Sequence, residues 1–414
     1  MALKRIPVGE AAVGMYVHEL CGSWMDHPFW KPRFLLKDER DLGRLQGSAV
    51  RELWIDTDKG LDVEGGQSVE EVEADTEAVL LAAAQPLPAP PRPGMDEEIG
   101  RSLKFCGYAR EQLDELFDAV RQGGALDKTA ALELVDEVSA SLDRHPHALI
   151  SLARLRSASE YSAMHALAVS ALMVALARQL GLAEKLVREA GLAGLLHDIG
   201  EIIMPPELLN NPGKLSKIDI TLLRDHPRAG VDLLKQMPGI SAAVLDVCLH
   251  HHERQDGSGY PDALKGDKTG LLAKMCAVCD VYDAISSDRP YQKGWGPAES
   301  IRKMAEWSKL QFDERVFQAF VKALGIYPVG SLVRLESGRL AVVLEQDEQS
   351  LLTPKVKVFF SARSKTPLPQ VVLELAKLVG QEKIVGRESV EEWGFNNFDE
   401  LWSGERKGTL SLFS

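Results

Sequence analysis

Cysteine is scarce in this chain, which has five cysteines among its 414 residues. An odd number of cysteines without a paired framework argues against a disulfide-stabilised secreted domain and favours a reducing compartment. Cys276 and Cys279 stand in a CxxC spacing, but no second pair accompanies them and they lie in an apolar run. We therefore expect these two thiols to pack in a core rather than to bind zinc or do redox chemistry.

Long apolar runs are also missing. Lys4 and Arg5 are followed by IPVGEAAVG, which lacks the sustained apolar core of a signal peptide. The longest apolar helical stretch, from about Ala166 to Leu180, is too short and too interrupted by arginine to span a bilayer. These two absences predict a cytoplasmic protein without a membrane span.

Positive charge is in the minority, with 48 basic against 61 acidic residues. The overall field therefore repels polyanions, and we expect no nucleic acid polymer among the partners. A small anionic substrate would need local positive charge to overcome that field. The rest of the composition, 45% hydrophobic and 26% charged, is ordinary for a globular chain with room for two or three domains.

A series of potential metal ligands is what the chain does contain. Only ten histidines are present, and five of them belong to this series. Its seven members, in chain order, are His165, His197, Asp198, His226, His251, His252 and Asp280. Imidazoles together with carboxylates suit first-row transition metals, and an adjacent His-Asp pair lets one carboxylate bridge two ions. The series predicts a two-metal site of the kind that hydrolyses phosphate esters.

Two ligand-bearing segments are apolar, which predicts that the site is buried. The segment from Arg188 to His197 reads REAGLAGLLH, a helix that is wholly apolar after Glu189 and delivers His197 and Asp198 in its last turn. The run LLAKMCAVCD likewise ends in Asp280. A buried carboxylate without a cation is costly. A single buried histidine is often only a satisfied core residue, but that explanation does not suit the whole set.

Five motifs now carry a family resemblance. They are HDIG from His197, NPGKLS from Asn211, HP at His226, HHERQDGSGYP from His251 and DVYDAISSDRPY from Asp280. In this order and spacing they resemble the HD-GYP family, a branch of the HD-domain phosphohydrolases, over roughly Glu160 to Ile326. The resemblance implies an all-helical HD-type catalytic core that hydrolyses cyclic dinucleotides, chiefly cyclic di-GMP, in the bacterial cytoplasm.

The resemblance also distributes the ligands between two divalent ions. It assigns His165, His197, Asp198 and Asp280 to one ion, and His226, His251 and His252 largely to the other. Asp198 would bridge them, and a hydroxide held between the ions would be the nucleophile, because metal coordination lowers the pKa of water. The resemblance favours iron or manganese, and the donor set also accepts zinc, nickel or magnesium. Asp198, His197 and Glu201 are the predicted catalytic residues, whereas His250 is expected to be a structural or surface histidine.

Glu201 departs from the family pattern, which usually has Lys after HDIG. If the helix extends this far, Glu201 lies three residues after Asp198 and faces the metals, where it could be a further ligand. It could instead point to solvent, or repel the substrate phosphate and leave a slow or silent enzyme. Some family members place a Glu four residues before His165 for a third metal. This chain has Tyr161 there, with Glu160 one position off the helical face, so we expect two metals.

Three residues are predicted to bind substrate: Arg289, Lys293 and Tyr260. The resemblance implies that Arg289 holds a substrate phosphate, and an arginine can do so bidentately; a surface salt bridge is the alternative. Gln292 stands where a basic residue commonly follows RPY, and Lys293 could compensate. Tyr260 could stack on a base or form a hydrogen bond, or its loop could close one wall of the site or meet a partner protein.

The predicted fold is mainly α, with small domains on either side of the helical catalytic core. The predicted parts are a mixed α/β N-terminal domain (1–64), an acidic and Pro-rich linker (65–96), a helical connector (97–150), the catalytic domain (151–327) and a small β appendage with a tail (328–414). The N-terminal part resembles the domain of unknown function that often precedes HD-GYP domains. Its aromatic cluster of Trp24, His27, Phe29 and Trp30 could be core or a ligand pocket.

The sequence leaves open how the connector helices pack. The connector helices could pair with those of a second subunit to form a homodimer, or could pack onto the catalytic domain. A hairpin turn is expected at Ser337 and Gly338. A diguanylate cyclase or another signalling protein could be a partner.

The main function predicted is cleavage of cyclic di-GMP to linear pGpG, with GMP as an additional product. The alternatives are a silent cyclic-dinucleotide receptor, or an HD-type hydrolase of nucleoside phosphates, against which the GYP loop argues.

Overall fold

The computed structural model describes residues 2–21, 33–48, 50–75, 94–155, 161–205, 208, 216–288, 293–347 and 349–404, except for the side chains of residues 161 and 309. The chain forms two compact units, Met1–Pro90 and Pro91–Ser414. The aromatic cluster predicted at residues 24–30 lies outside the described residues. Residues 76–93, most of the predicted linker, lie outside them as well.

The first unit contains a small antiparallel sheet and an α-helix. Its elements are β1 (Leu3–Pro7), β2 (Tyr16–Leu20), β3 (Phe34–Leu35), α1 (Glu39–Gln46), β4 (Glu52–Asp56) and β5 (Gln67–Ser68), and the strand order is β3-β2-β4-β1-β5. Alternating side chains such as Leu53 and Ile55 on β4 are fully buried. Strand β5 pairs with β1, so the sheet continues past residue 64 into the stretch assigned to the linker.

The second unit begins with eleven helices that follow one another in the described residues. They are α2 (Met95–Arg121), α3 (Lys128–Arg144), α4 (Ala148–Ala153), α5 (Tyr161–Gln179), α6 (Glu184–Leu196), α7 (Lys217–Leu223), α8 (His226–Lys235), α9 (Ala242–His250), α10 (Leu271–Ser286), α11 (Pro297–Gln311) and α12 (Glu314–Leu324). The helical core expected for an HD domain is therefore present.

Helices α2 and α3, predicted as a connector, pack onto the catalytic helices. Leu113 of α2 and Val138 of α3 share one buried cluster with Leu172 and Met173 of α5. Of the two arrangements left open by the sequence, packing within the chain is the one observed. Both helices therefore bury apolar residues within the chain, and the homodimer stays a prediction.

Helix α5 is longer than the sequence analysis expected. Among the described residues, the window Ser162–Gln179 is long and apolar enough to cross a membrane by composition. The expectation that the stretch is too short was therefore wrong, because the helix begins five residues before Ala166. Its window is 78% buried inside the structure, which is the property of a central core helix.

The C-terminal part is a five-stranded antiparallel sheet followed by two short helices. The elements are β6 (Leu332–Leu335), β7 (Arg339–Glu345), β8 (Lys355–Ser361), β9 (Thr366–Glu374), β10 (Ile384–Arg387), α13 (Val390–Trp393) and α14 (Glu400–Ser403), with strand order β10-β6-β7-β8-β9. The β6–β7 turn contains Gly338 with φ +81°, where a hairpin was predicted. An apolar cluster that includes Ile99, Leu152, Leu332 and Trp402 joins this sheet to α2 and α4.

Candidate metal and catalytic site

Five helices bring the seven predicted ligands to one place. His165 lies on α5, His197 and Asp198 follow α6, His226 begins α8, His251 and His252 follow α9, and Asp280 lies on α10. Their ligand atoms form two groups, each within 4.8 Å: one of His165, His197, Asp198 and Asp280, the other of Asp198, His226, His251 and His252. We call these the first group and the second group. Asp198 belongs to both.

Asp198 offers one carboxylate oxygen to each group. Its Oδ2 lies 3.1 Å from Nε2 of His197 and 3.5 Å from Nε2 of His165. Its Oδ1 lies 3.1 Å from Nε2 of His251 and 3.3 Å from Nε2 of His226. This is the geometry that a carboxylate bridging two cations requires.

The histidine rings are oriented by hydrogen bonds on the side away from the site. The four Nδ1 contacts are His165 to Asp283 Oδ2 (2.6 Å), His197 to the Gly194 carbonyl (2.8 Å), His226 to the Leu223 carbonyl (2.7 Å) and His251 to the Val247 carbonyl (3.1 Å). An Nδ1 that donates to an oxygen leaves Nε2 with a lone pair directed at the site. Lone pairs facing carboxylate oxygens repel each other unless a proton or a metal cation lies between them.

Two buried atoms at the centre of the site support this fit to cations. His197 Nε2 and Asp198 Oδ1 are buried, and neither has a hydrogen-bond partner among the described residues. Buried polar atoms without partners are rare in folded proteins. Divalent cations held by the two groups would supply the missing partners. No cysteine belongs to either group, so the donors are imidazole nitrogens and carboxylate oxygens alone.

Both carboxylates of the site stay ionised. Burial opposes the charge of Asp198, but the surrounding histidines outweigh it and hold the pKa of this carboxyl well below its usual value. The pKa of Asp280 is lowered in the same way: burial is outweighed by contacts with His165 and His252. The site therefore contains two negative charges, which would balance half of the positive charge of two divalent ions.

The imidazoles of the second group differ in their protonation. Burial lowers the pKa of His251 and holds the pKa of His252 well below 6.5, so both rings are neutral and able to bind a metal. Burial would also lower the pKa of His226, but the carboxylate of Asp198 raises it to about 9. A cation that binds His226 near neutral pH therefore displaces a proton.

The His-Asp pair lies at a change of helix type and not in the last turn of an α-helix as predicted. Helix α6 ends at Leu196, and a 3-10 helix spans Ile199–Ile203. Helix α8 crosses closely at this point: a Cβ on Gly200 would lie 2.0 Å from the carbonyl oxygen of His226. Only glycine fits there, so the HDIG glycine permits the approach that brings His226 to Asp198.

Glu201 faces the site from a 3-10 helix, and not from an extension of the α-helix as the sequence analysis assumed. Side chains at i and i+3 eclipse one another in a 3-10 helix, which places Glu201 over Asp198. Burial and the charge of Asp198 raise the pKa of Glu201 to about 7. Its carboxyl belongs to neither ligand group of the described residues. Glu201 thus adds negative character beside the ligands, where the family usually has a lysine.

Asp280 lies inside a helix, whereas the sequence analysis placed it at a helix end. Helix α10 continues to Ser286, which adds Asp283 one turn after Asp280 on the same face. Asp283 accepts from Nδ1 of His165 and from the hydroxyl of Ser287, at 2.6 and 3.3 Å. The sequence analysis missed this residue. Its spacing of three from Asp280 was the available signal.

The GYP loop is fixed by Glu253 and covers the second group. The two carboxylate oxygens of Glu253 accept from the backbone N–H groups of Asp262 and Leu264 at 2.7 and 3.0 Å. Tyr260 stacks on the ring of His252, with centroids 4.7 Å apart. His250 bonds Asp246 and Asp262 outside the ligand groups, in agreement with its predicted structural role.

An arginine that the sequence analysis missed lies beside this loop. The guanidinium of Arg224 is 5.2 Å from the ring centre of Tyr260. A cavity of about 120 Å³ next to the second group is lined by Arg224, Arg254, Tyr260 and His252, among others. Arg224 is 36 residues from Tyr260 in sequence, so only the fold reveals their proximity.

The other predicted site residues are placed as follows. Lys293 lines a second, larger cavity that contains none of the seven ligands. Arg289, Gln292 and Glu160 lie outside the described residues, as does the side chain of Tyr161. The predicted contact between Arg289 and a substrate phosphate, and the expected absence of a third metal, stay predictions.

The CxxC pair lies in the core, as expected. Cys276 and Cys279 on α10 are fully buried, and both are free thiols. Burial raises the pKa of both thiols well above the usual value. They are neutral and inert packing residues of the helix that carries Asp280.

Two family models match this chain. Residues 3–131 match DUF3391, a domain of unknown function, and residues 138–316 match the HD domain. The predicted HD-type core and the predicted N-terminal domain of unknown function are confirmed. The DUF3391 match reaches beyond the small sheet, through α2 into the first residues of α3.

Several curated proteins are similar in sequence. The cyclic di-GMP phosphodiesterase PA4108 of Pseudomonas aeruginosa is 56% identical over 412 residues, which cover 99% of this chain and 98% of that protein. The cyclic di-GMP phosphodiesterase response regulator RpfG of Xanthomonas campestris is 36% identical over 49% of this chain and 55% of its own length. The 3′3′-cGAMP-specific phosphodiesterase 1 of Vibrio cholerae is 34% identical over 40% of this chain and 38% of its own length. By its HD domain and its full-length similarity to PA4108, this chain belongs to the HD-GYP family of cyclic di-GMP phosphodiesterases.

Proposed function

We propose that this chain hydrolyses a phosphodiester bond of cyclic di-GMP at the paired ligand groups, with two divalent cations as cofactors. The observation that carries the proposal is Asp198, which directs one carboxylate oxygen at each of two histidine groups. Linear pGpG is the first product, and a second cleavage of the same type would give GMP.

We propose iron or manganese as the bound ions. Imidazoles mixed with carboxylates, without thiolates, accept iron, manganese, zinc or nickel, and the family resemblance favours the first two. When bound, such ions supply Lewis acidity and lower the pKa of a coordinated water toward neutrality. The chain needs no serine or cysteine nucleophile for this chemistry.

The side chains of the site orient the cofactors and keep the charge balanced. Asp283 fixes the ring of His165 from behind, and backbone carbonyls do the same for the rings of His197, His226 and His251. Such supporting hydrogen bonds raise ligand basicity and lock the ring orientation. The two anionic ligands, Asp198 and Asp280, leave two divalent ions with about two net positive charges for a phosphate.

Positive charge near the second group fits an anionic substrate. Arg224 and Arg254 line the cavity beside His252, and both are exposed side chains. An exposed guanidinium at the mouth of the site can pair with a phosphate as it arrives. We infer that Arg224 supplies part of the phosphate contact that the lysine of the family pattern would give at position 201.

A silent receptor is the less favoured function. The observation behind it is Glu201, whose carboxyl lies near Asp198 and opposes a phosphate. All seven candidate ligands nevertheless lie in two groups that could hold metal ions, and the full-length relative is named as a phosphodiesterase. We therefore propose that the chain hydrolyses cyclic di-GMP and that Glu201 lowers the rate of this reaction.

The test is a turnover assay on anaerobically prepared protein whose metal content is quantified. We expect cyclic di-GMP to be converted to pGpG in proportion to the bound metal, with 3′3′-cGAMP as the comparison substrate. The control is Asp136→Ala, which removes an exposed carboxylate paired with Arg188 and should leave turnover unchanged. Fully metal-loaded protein that binds cyclic di-GMP without converting it would contradict the proposal and identify a receptor.

A further inference from the structure

A second cavity lies between the catalytic helices and the C-terminal sheet. It has a volume of about 670 Å³, within the range of small-molecule pockets in proteins. Its lining includes Arg154 after α4, Ser286 at the end of α10, Trp295 before α11, Ser331 before β6 and Arg387 on β10. None of the seven metal ligands lines it.

Four buried polar atoms around this cavity have no hydrogen-bond partner among the described residues. They are Ser286 Oγ, Ser331 Oγ, Arg154 Nη2 and Arg387 Nε. Ser286 and Ser331 are only 3% and 1% exposed. Buried polar groups normally have partners, and here four such atoms surround one cavity. The guanidinium groups can only donate, so the missing partner must present acceptors.

The two arginines are held in place by other contacts. Arg154 lies 3.9 Å from the carboxylate of Asp399, and the guanidinium of Arg387 lies 4.9 Å from the ring centre of Tyr327. The Arg154 ion pair is made by Nη2 itself, but 3.9 Å is too long for a hydrogen bond. The Arg387 contact is made by the face of the guanidinium and leaves Nε without a hydrogen-bond partner. An arginine fixed in this way is preorganised for a planar ligand with two acceptors.

The remaining lining adds aromatic rings and carboxylates. Trp295 and Phe395 line the cavity, as do Glu391, Glu392 and the exposed Lys293. Aromatic side chains stack on nucleobases. Guanine presents the acceptors O6 and N7, which arginine binds bidentately, and its N1–H and amino group can donate to carboxylates. A phosphate on the same molecule would find a cation in Lys293.

From these observations we propose that the cavity is a binding site for a guanine mononucleotide. The guanidinium of Arg154 or Arg387 contacts O6 and N7, the hydroxyls of Ser286 and Ser331 complete the base or sugar contacts, and an aromatic ring covers the base. This assignment does not depend on the reaction at the metal groups. It predicts a binding site that remains when the metal site is saturated with cyclic di-GMP.

The cavity also adjoins the ends of two ligand-bearing helices. Arg154 and Leu155 precede α5, which carries His165, and Ser286 ends α10, which carries Asp280. Ser287, next to Ser286, donates to Asp283, and Asp283 in turn accepts from His165. A nucleotide in the cavity therefore contacts the segments that hold the first group, and its effect on turnover rests on the proposed function.

Binding of GMP to the metal-loaded protein, measured by calorimetry with a non-hydrolysable phosphorothioate analogue of cyclic di-GMP saturating the metal site, tests the proposal. We expect Arg387→Lys to weaken GMP binding by about tenfold or more, because a guanidinium contact is lost, and Ser331→Ala to weaken it by about threefold or more. Arg188→Lys, at an exposed arginine paired with Asp136, is the matched control and should not change the affinity. AMP should bind at least about tenfold more weakly than GMP, because its base lacks the O6 acceptor.

Ser331→Ala guards against a folding artefact, since it removes one unpartnered hydroxyl and should melt at the same temperature as the parent without nucleotide. GMP affinity that is unchanged in both cavity variants would overturn the proposal, as would an absence of GMP binding to the parent protein. Inorganic phosphate or AMP binding as tightly as GMP would overturn the assignment to guanine. Turnover is not needed for any of these readouts, so failure here is distinguishable from failure of the proposed reaction.

Discussion

The two ligand groups share Asp198 but are built differently around it. The first group contains a second carboxylate, Asp280, and its His165 is braced by the carboxylate of Asp283. The second group has three histidines braced only by backbone carbonyls or by stacking. The side chain of His165 is 4% exposed and that of His252 is 25% exposed. The first group is enclosed and anionic, whereas the second is more open and less charged.

This difference indicates that ions bound by the first group and by the second group would have different roles. Two carboxylates can neutralise one divalent ion in the first group, so an ion there is held mainly for structure and for activating water. An ion in the second group keeps more of its positive charge, and it lies beside Tyr260 and Arg224. We therefore expect the second position to meet the substrate phosphate and to exchange its ion more readily.

Removal of Asp198 tests what the groups share and should have the largest effect. In Asp198→Ala, both groups lose their common ligand, and we expect the loss of both ions and of detectable turnover. Metal quantification together with the cyclic di-GMP assay checks this result, with Asp136→Ala as the exposed carboxylate control. Turnover retained in metal-analysed Asp198→Ala protein would contradict a shared ligand.

Asp283→Asn separates the groups and should have the next largest effect. The amide keeps the shape but weakens the support of His165, so affinity for one ion should fall by about 10- to 100-fold while the other ion stays bound. Competition with a chelator of known affinity measures the two dissociation steps. Equal weakening of both steps would show that the bracing does not distinguish the groups.

Glu201→Lys tests the charge that lies near both groups. Replacing a carboxylate next to Asp198 by an ammonium favours an approaching phosphate, and we expect kcat/KM for cyclic di-GMP to rise by about tenfold. Glu201→Gln should give a smaller gain, because it only removes the negative charge. A loss of turnover that accompanies a loss of metal would instead mark Glu201 as a ligand.

Arg224→Ala tests the open side of the second group and should have the smallest effect. An exposed guanidinium contributes modestly to binding, so we expect KM to rise by about three- to tenfold with kcat little changed. Arg224→Lys should recover part of the loss, and Arg188→Ala, at a distant exposed arginine, should have none. A fall in kcat at constant KM would show that Arg224 acts on the transition state and not on capture of the substrate.

The sequence could select seven ligand candidates that lie together in the structure, because ligand chemistry restricts the choice to residues such as histidine and aspartate. It did not predict the bracing residue Asp283, because that carboxylate need not touch an ion. It also could not place Arg224 beside Tyr260, since the contact depends on how α7 lies against the GYP loop. The end of α6 was misjudged because the close crossing at Gly200 and His226, a tertiary contact, decides where the α-helix gives way to the 3-10 helix.

The same limit applies to the larger architecture. Helical periodicity predicted α2 and α3, but it could not tell whether their apolar faces would meet another subunit or their own catalytic domain. In the C-terminal sheet, β6 and β7 are mostly buried and β8 alternates in burial over its first residues, whereas β9 is mostly exposed. Strand β10 is short, and pairing with β6 defines it more than its own residues do.

The shared carboxylate of Asp198 has a thermodynamic consequence for the whole enzyme. Because one side chain serves both positions, an ion that binds first fixes Asp198 for the second, and each ion must alter the affinity of the other by the same factor. The fully active form then depends on the free concentration of metal more steeply than a single site would allow. The level of the signalling nucleotide would in this way become tied to the metal supply of the cell.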